Sequence, residues 1–379
     1  MGLNKIRLGD YIERSTANNK NLVYGTDLIV GVTNEGIFTV PKGNPIGVDL
    51  RPYKIVNHGA FVYNPTRLDL GSIAYREDGL CIVSHLYIVF YLNEAGKKII
   101  DPQYLFIYFR RKEFCREVTF RNFGSQRPEF SFSDMCDIVV PLPPYAIQQK
   151  YVAIYNAMLA NQKSYERGLE DLKLVCEAYI DTLRERTPLQ KLGKYISLSD
   201  RRNSDLQYGI EDVKGISIEK KFIETKANME GVSLTPYAVV EPDEFAYVTV
   251  TSRNGERISL ARNSSGQACI CSSSYVVFRI NDTEELLPEY LSMLFERCEF
   301  DRYARFHSWG SARETFDWDE MCSVEIPVPD VTIQQDIVDI FKAYNTRKGI
   351  AETLKNQIQN ICPILIKGSI EEAQKTDEA

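Results

Sequence analysis

Arginines interleaved with aromatic rings and small hydroxyl residues are the groups in this chain best suited to holding a polyanion. Phe109-Arg110-Arg111-Lys112 leads through Arg116, Phe120, Arg121, Phe123, Ser125 and Gln126 to Arg127, and a related stretch carries Arg297, Arg302, Tyr303, Arg305, Phe306, His307, Ser308, Trp309, Ser311 and Arg313. Guanidinium and hydroxyl groups bind phosphates, and arginine forks read guanine edges. The loops at Ser125–Arg127 and Ser311–Arg313, where Gly-Ser precedes Arg, read as backbone contacts; the helical stretch Arg110–Glu117 reads as a solvated face with buried rings. A second candidate face holds Arg67 and Arg76, then Arg253, Arg257 and Arg262, on or beside predicted hairpins. The candidate contacts are therefore Arg67, Arg76, Arg121, Ser125, Arg127, Arg253, Arg257, Arg262, Arg305, Ser308, Ser311 and Arg313.

Catalytic constellations are harder to assemble. Neither Gly96-Lys97 nor Gly193-Lys194 completes a P-loop, so nucleotide hydrolysis has no support. The three histidines, His58, His85 and His307, share no metal-ligand spacing, and Ser84-His85 lacks a counterpart elsewhere in the chain. Leu142-Pro143-Pro144-Tyr145 has the tail of an amino-methylating tetrad without its polar first residue, and Asn64-Pro65-Thr66-Arg67 fails at its last two positions. No glycine-rich cofactor loop follows a strand. The expectation is a chain without catalytic residues, metal or cofactor.

The elements that must position these arginines occur twice. Leu8-Gly9-Asp10-Tyr11-Ile12 recurs 184 residues later as Leu192-Gly193-Lys194-Tyr195-Ile196, and at that offset Tyr24-Gly25, Gly31, Phe38, Tyr53, Phe61 and Tyr63 find partners. The offset then becomes 186, matching Pro102-Gln103-Tyr104-Leu105 to Pro288-Glu289-Tyr290-Leu291. Gly124-Ser125, Arg127, Met135-Cys136, Pro141, Pro143, Ile147 and Gln148-Gln149 match at the same offset. Two copies of one unit follow, rather than a solenoid of short repeats.

Each copy opens as mixed α and β. Short β-rich runs at Ala60–Tyr63, Leu80–Val83 and Tyr87–Leu92 alternate with turn residues, and Asn254-Gly255 signals a hairpin. Asp101 followed by Pro102 marks a helix start. Each copy closes on a long apolar stripe at spacings of three and four. The first, from Ile147 to Leu183, reads as a helix with a coiled-coil seam interrupted near Gln162, a rod of roughly 60 Å. The second runs from Ile333 to Leu365, where Pro363 should kink or fray the last turns. Neither stripe can be buried alone, so the two helices are expected to pair antiparallel, with a domain at each end. The alternative is that each folds back on its own domain. The resulting fold class is α+β, with two tandem pseudo-twofold-related mixed α/β domains separated by two long helices forming an antiparallel coiled coil. The expected boundaries are 1–143 and 188–329 for the domains, 144–187 and 330–368 for the helices, and 369–379 for an acidic, disordered tail.

Composition sets limits on this picture. Forty-four per cent hydrophobic and 11% aromatic residues suffice for folded cores, and nine cysteines without a CxxC pair fit reduced, buried thiols. No apolar run reaches the roughly 20 residues of a membrane span, and no signal-peptide pattern opens the chain, so a cytoplasmic location is expected. The net charge of −7 argues against a non-specific nucleic-acid coat. It is uneven: residues 188–329 hold 16 basic and 23 acidic groups, whereas 1–143 hold 17 and 15.

The duplicated order resembles the specificity subunits of type I restriction-modification systems. The features that carry the likeness are Leu8-Gly9-Asp10-Tyr11-Ile12, Phe61-Val62-Tyr63-Asn64-Pro65 with Arg67 and Gly71-Ser72, the Gly-Ser-x-Arg loop, and the element from Ile326-Pro327-Val328-Pro329 to Gln335. In the first copy that last element starts with Val140 in place of Ile326. The likeness covers roughly residues 3 to 367. It implies two target-recognition domains, each reading half of a bipartite double-stranded DNA site, with paired helices as a ruler. It also implies docking of DNA methyltransferase subunits, expected to number two, and of the restriction translocase-nuclease subunits, which would carry the chemistry. The acidic second domain departs from expectation for a DNA reader. It keeps open a protein-protein scaffold without DNA readout; a stand-alone DNA-modifying enzyme is the remaining alternative.

Overall fold

The repeated sequence motifs turn out to be segments that touch. In the computed structural model, which describes residues 3–41, 43, 47–122, 129–251, 257–310 and 313–378, Gly9 backs onto Cys136 so closely that a Cβ at Gly9 would lie 2.7 Å from the Cys136 Cβ. Gly193 faces Cys322 in the same way, at 2.8 Å. The Leu-Gly-x-Tyr-Ile and Met-Cys pairs therefore recur together because each closes its domain on the other. Beside each contact the chain ends meet: Asn4–Arg7 pairs antiparallel with Val139–Leu142, and Leu189–Lys191 with Glu325–Pro327.

The main sheet of the first copy has four antiparallel strands in the order Ile12–Arg14, Ile88–Leu92, Phe61–Tyr63, Ile73–Tyr75. The second repeats the order with Ile196–Leu198, Tyr275–Ile280, Phe245–Val248 and Leu260–Arg262. Phenylalanines facing one another across the central pair stack at 5.1 Å in both copies, Phe61 on Phe90 and Phe245 on Phe278, with Phe109 and Phe295 edge-on. Those last rings come from helices Pro102–Phe109 and Pro288–Glu296, which cover the sheet. The first starts as its sequence predicts: the Asp101 carboxylate accepts from the Gln103 and Tyr104 amides, and Pro102 occupies the first turn. Shorter hairpins complete each domain. The Asn254-Gly255 turn lies outside the described residues.

The long stripes are helical, with three differences from expectation. The first is two helices, Tyr145–Glu166 and Leu169–Arg186, because Gly168 takes φ +76°, a left-handed conformation that interrupts the helix. The second runs as one helix from Val331 to Glu378, through Pro363. Cys362, Leu365 and Ile366, buried around the proline, hold it in place by packing. Nor is 369–378 a loose tail: it continues the helix, Ser369 and Ala373 are buried, and Lys150 pairs with Glu372 at 2.8 Å. Its acidic composition hid those small buried positions.

The chain divides into two units, 1–166 with 349–379, and 167–348, so each holds one copy of the domain and a length of both stripes. Within the first unit the helices run antiparallel: Tyr151 donates to Glu372, while Tyr155, one turn on, shares the core with Cys362 and Ile358. Within the second, Ile180 and Leu183 share a core with Ile337 and Val338, and Arg347 donates to the Arg167 carbonyl. Each helix is also tied to its own domain. Gln148, fully buried, accepts from the Asp101 amide and donates to the Ile99 and Pro143 carbonyls, each at 2.8 Å. Gln334 repeats this clasp on Leu287, Glu285 and Pro329. Helix pairing and folding back on the domain therefore both occur. Among the described residues no helix is long and apolar enough to cross a membrane.

Candidate nucleic-acid interface

Each domain builds one tip from two connections. In the second unit Trp309 and Thr315 exchange backbone hydrogen bonds at 3.1 and 2.9 Å, closing a hairpin after helix Cys298–Phe306. Gly310 turns at φ +139°, where a Cβ would lie 2.3 Å from the Arg313 carbonyl oxygen. The hairpin is laid along the chain leaving strand Phe245–Val248: Phe316 donates to the Thr249 carbonyl and Thr251 to that of Glu314. The residues flanking that turn, Trp309 and Glu314–Phe316, and the chain leaving the strand as far as Thr251 thus lie side by side. In the first unit the Phe130 amide donates to the Pro65 carbonyl, and Arg67 follows two residues later. Between the paired strands this connection is three residues longer in the second copy.

The candidate side chains divide by what already engages them. Arg67, Arg257 and Arg313 are exposed. Arg121 pairs with Glu117 at 2.9 Å on its own helix and also donates to the Asp137 carbonyl. Arg305 is bound to Glu314, and Arg262 to Asp243 at 2.6 Å and Glu289 at 3.6 Å, leaving little of its side chain exposed. Arg76 lies over the Phe38 ring, its guanidinium carbon 5.4 Å from the centroid, and donates to the Leu80 carbonyl. Ser308 is buried, its hydroxyl donating to the Ala304 carbonyl at 2.6 Å. Ser125, Arg127, Arg253 and Ser311 lie outside the described residues.

A buried ion pair stiffens the second tip from behind. Lys220, at a left-handed φ of +60°, meets Asp301 at 2.6 Å, and Asp301 also accepts from the Ile258 amide. Burial pulls the Lys220 ammonium below its ordinary pKa while Asp301 opposes the shift. Asp301 thus ties helix Cys298–Phe306 both to the Lys220 turn and to the backbone at Ile258. Among the described residues no cluster of His, Cys, Asp or Glu could hold a metal ion.

Omitted from the sequence-derived candidates are the exposed rings. Phe120 is 81% exposed, Phe306 74% and Trp309 59%. A signal was present: Phe114 and Val118, like Phe300 and Ala304, follow the buried helical phase, whereas Phe120 and Phe306 fall outside it.

Comparison with known proteins gives the arrangement a context. The family model described as type I restriction modification DNA specificity domain matches residues 6–171 and 242–360. Among solved structures, the S subunit of a type I restriction-modification system from M. genitalium is similar with a TM-score of 0.62 at 10% identity, over 97% of this chain and 96% of that one. The HsdS subunit from Thermoanaerobacter tengcongensis is similar at 16% identity, over 97% and 96% of the chains, with a TM-score of 0.42. A chain from a structure of the type I R-M system, described by its assembly and conformational transition, is similar at 16% identity over 97% and 98%, with a TM-score of 0.46. No curated protein matches.

Proposed function

The chain belongs to the type I restriction-modification DNA specificity family, and from that premise we propose that it is the non-catalytic subunit that reads a bipartite double-stranded DNA target. The observation that carries this reading is the duplicated tip: one scaffold, built twice, ends in connections of different length and sequence. A shared scaffold with divergent ends suits two half-sites of different sequence. Exposed Arg67, Arg257 and Arg313 supply phosphate or base-edge contacts, joined by Ser125, Arg127, Arg253 and Ser311. Two methyltransferase subunits and the translocase-nuclease subunits dock on the domains and helices and perform the chemistry, in the cytoplasm. The free chain, acidic in its second domain, binds DNA weakly; basic partners close the grip.

The test is to purify the chain with and without methyltransferase and to map methylated adenines in DNA treated with each. Methylation at a single bipartite sequence, requiring both components, is the expected outcome. Methyl transfer by the chain alone with S-adenosylmethionine overturns the non-catalytic assignment. One observation favours a second reading, a scaffold without readout in its second domain: Arg262 and Arg305 are already held by carboxylates. A methylated site specified by one half only is the result that would select it.

A further inference from the structure

We propose that Trp309, assisted by Phe306, is an apolar DNA contact of the second recognition domain, packing its ring on the bases or deoxyribose of that half-site. The inference rests on the DNA-reading function above and names residues that the arginine-centred reading leaves out.

Charge alone is a poor grip here. The domain carries 16 basic against 23 acidic groups, and at the tip Arg305 is spent on Glu314 while Arg302 lies 3.5 Å from Glu299. What the tip offers to the outside is aromatic surface, with Trp309 59% and Phe306 74% exposed. The other indole, Trp318, is by contrast partly buried against the core, packing on Phe278 at 5.6 Å.

The backbone that carries the exposed indole is also held in place. Trp309 is fixed through both its amide and its carbonyl to Thr315, and the turn beyond it admits only glycine at position 310. Phe306 sits one turn earlier, edge-on to His307, which stacks on Tyr303 at 4.2 Å and pairs with Glu320 at 3.0 Å. A preorganised ring loses little freedom on binding, which is why fixed aromatics serve as anchors. Arg313, exposed beyond the turn, adds attraction to phosphate. Every base has a π face, and apolar wedges commonly pack at base steps, so such a contact adds affinity that does not depend on net charge. The first copy places Phe120, 81% exposed, where the second has Phe306. That recurrence fits a ligand common to both domains; the arginines beside the rings favour DNA, and the methyltransferase is the alternative that the experiment separates.

The experiment uses the full chain with its methyltransferase. In a Trp318→Phe background Trp309 is the sole indole of the subunit, so replacing methyltransferase tryptophans with 5-fluorotryptophan-silent phenylalanines is unnecessary if the subunit alone is labelled with 5-fluorotryptophan and read by fluorine NMR. The resonance is expected to shift when duplex carrying the target is added to the complex, and to stay in place when methyltransferase is added without DNA. Trp309→Ala should weaken target binding by about tenfold or more, with the slope of log affinity against log salt unchanged because no phosphate contact is lost. Trp309→Phe should recover most of the affinity. Wild-type affinity in Trp309→Ala, a shift caused by methyltransferase alone, or a shallower salt slope each overturns the inference. A wild-type complex with no sequence preference overturns the underlying DNA-reading function itself, and this contact with it.

Discussion

Burial, rather than pairing, governs the thiols of this chain. Desolvation pushes Cys269 and Cys362 up to about 11 and Cys271 up to about 12, from an ordinary value of 9.0. A thiol whose folded pKa lies above its unfolded one holds its proton more tightly when folded. Its contribution to stability is complete below pH 9 and is lost as the pH climbs through 11 to 12, by up to about 1.4 kcal/mol per thiol per pH unit in that interval. Urea midpoints taken between pH 8 and 11 under reducing conditions should therefore fall, and Cys271→Ala should flatten the fall even if it lowers stability at pH 8. An unchanged pH slope in that variant would contradict the assignment. The same residue scale explains the Gly9 and Gly193 repeats, since any side chain there would collide with Cys136 or Cys322.

Elements are joined by clasps as much as by apolar stripes. The first glutamine of each Gln-Gln pair is buried and satisfies three backbone groups, whereas Gln149 and Gln335 are exposed. Gln148→Leu would leave the Asp101 amide and the Ile99 and Pro143 carbonyls without a side-chain partner. A loss of about 2 kcal/mol or more is expected, because a buried orphan costs about 1–3 kcal/mol. Gln149→Leu serves as the exposed control, and comparable destabilisation of the two variants in thermal or urea unfolding would refute the clasp. The helix start at Asp101 and the strands around Phe61 and Phe90 were legible from pattern alone. The break at Gly168 and the ordered end of the last helix were not, since a single glycine or an acidic composition does not reveal local packing.

For the whole molecule the prediction concerns spacing. If paired helices measure the distance between half-sites, removing two turns from both stripes should change the permitted spacer and leave each half-site sequence unaltered. Methylation mapping with the shortened chain reads both quantities, and a change in half-site preference would defeat the ruler. Net charge belongs to this scale too. At −7 for the chain, affinity for DNA has to come from local groups and from partners, which is why the free chain is expected to bind weakly.

The sequence by itself determined the duplication, the α+β domain, the long apolar stripes and the family, because these follow from periodicity and from motifs repeated at fixed offset. Only the tertiary structure decided which candidate groups are available. Arg262 and Ser308 look like ligands for DNA in one dimension, yet three-dimensional neighbours engage them through Asp243, Glu289 and Ala304. Trp309 and Phe306 stand in the sequence only as rings among the arginines, and the structure exposes them because the helix phase and the Gly310 turn carry them outward. Residue type sets what a group can do, and packing sets whether its surface is free to do it.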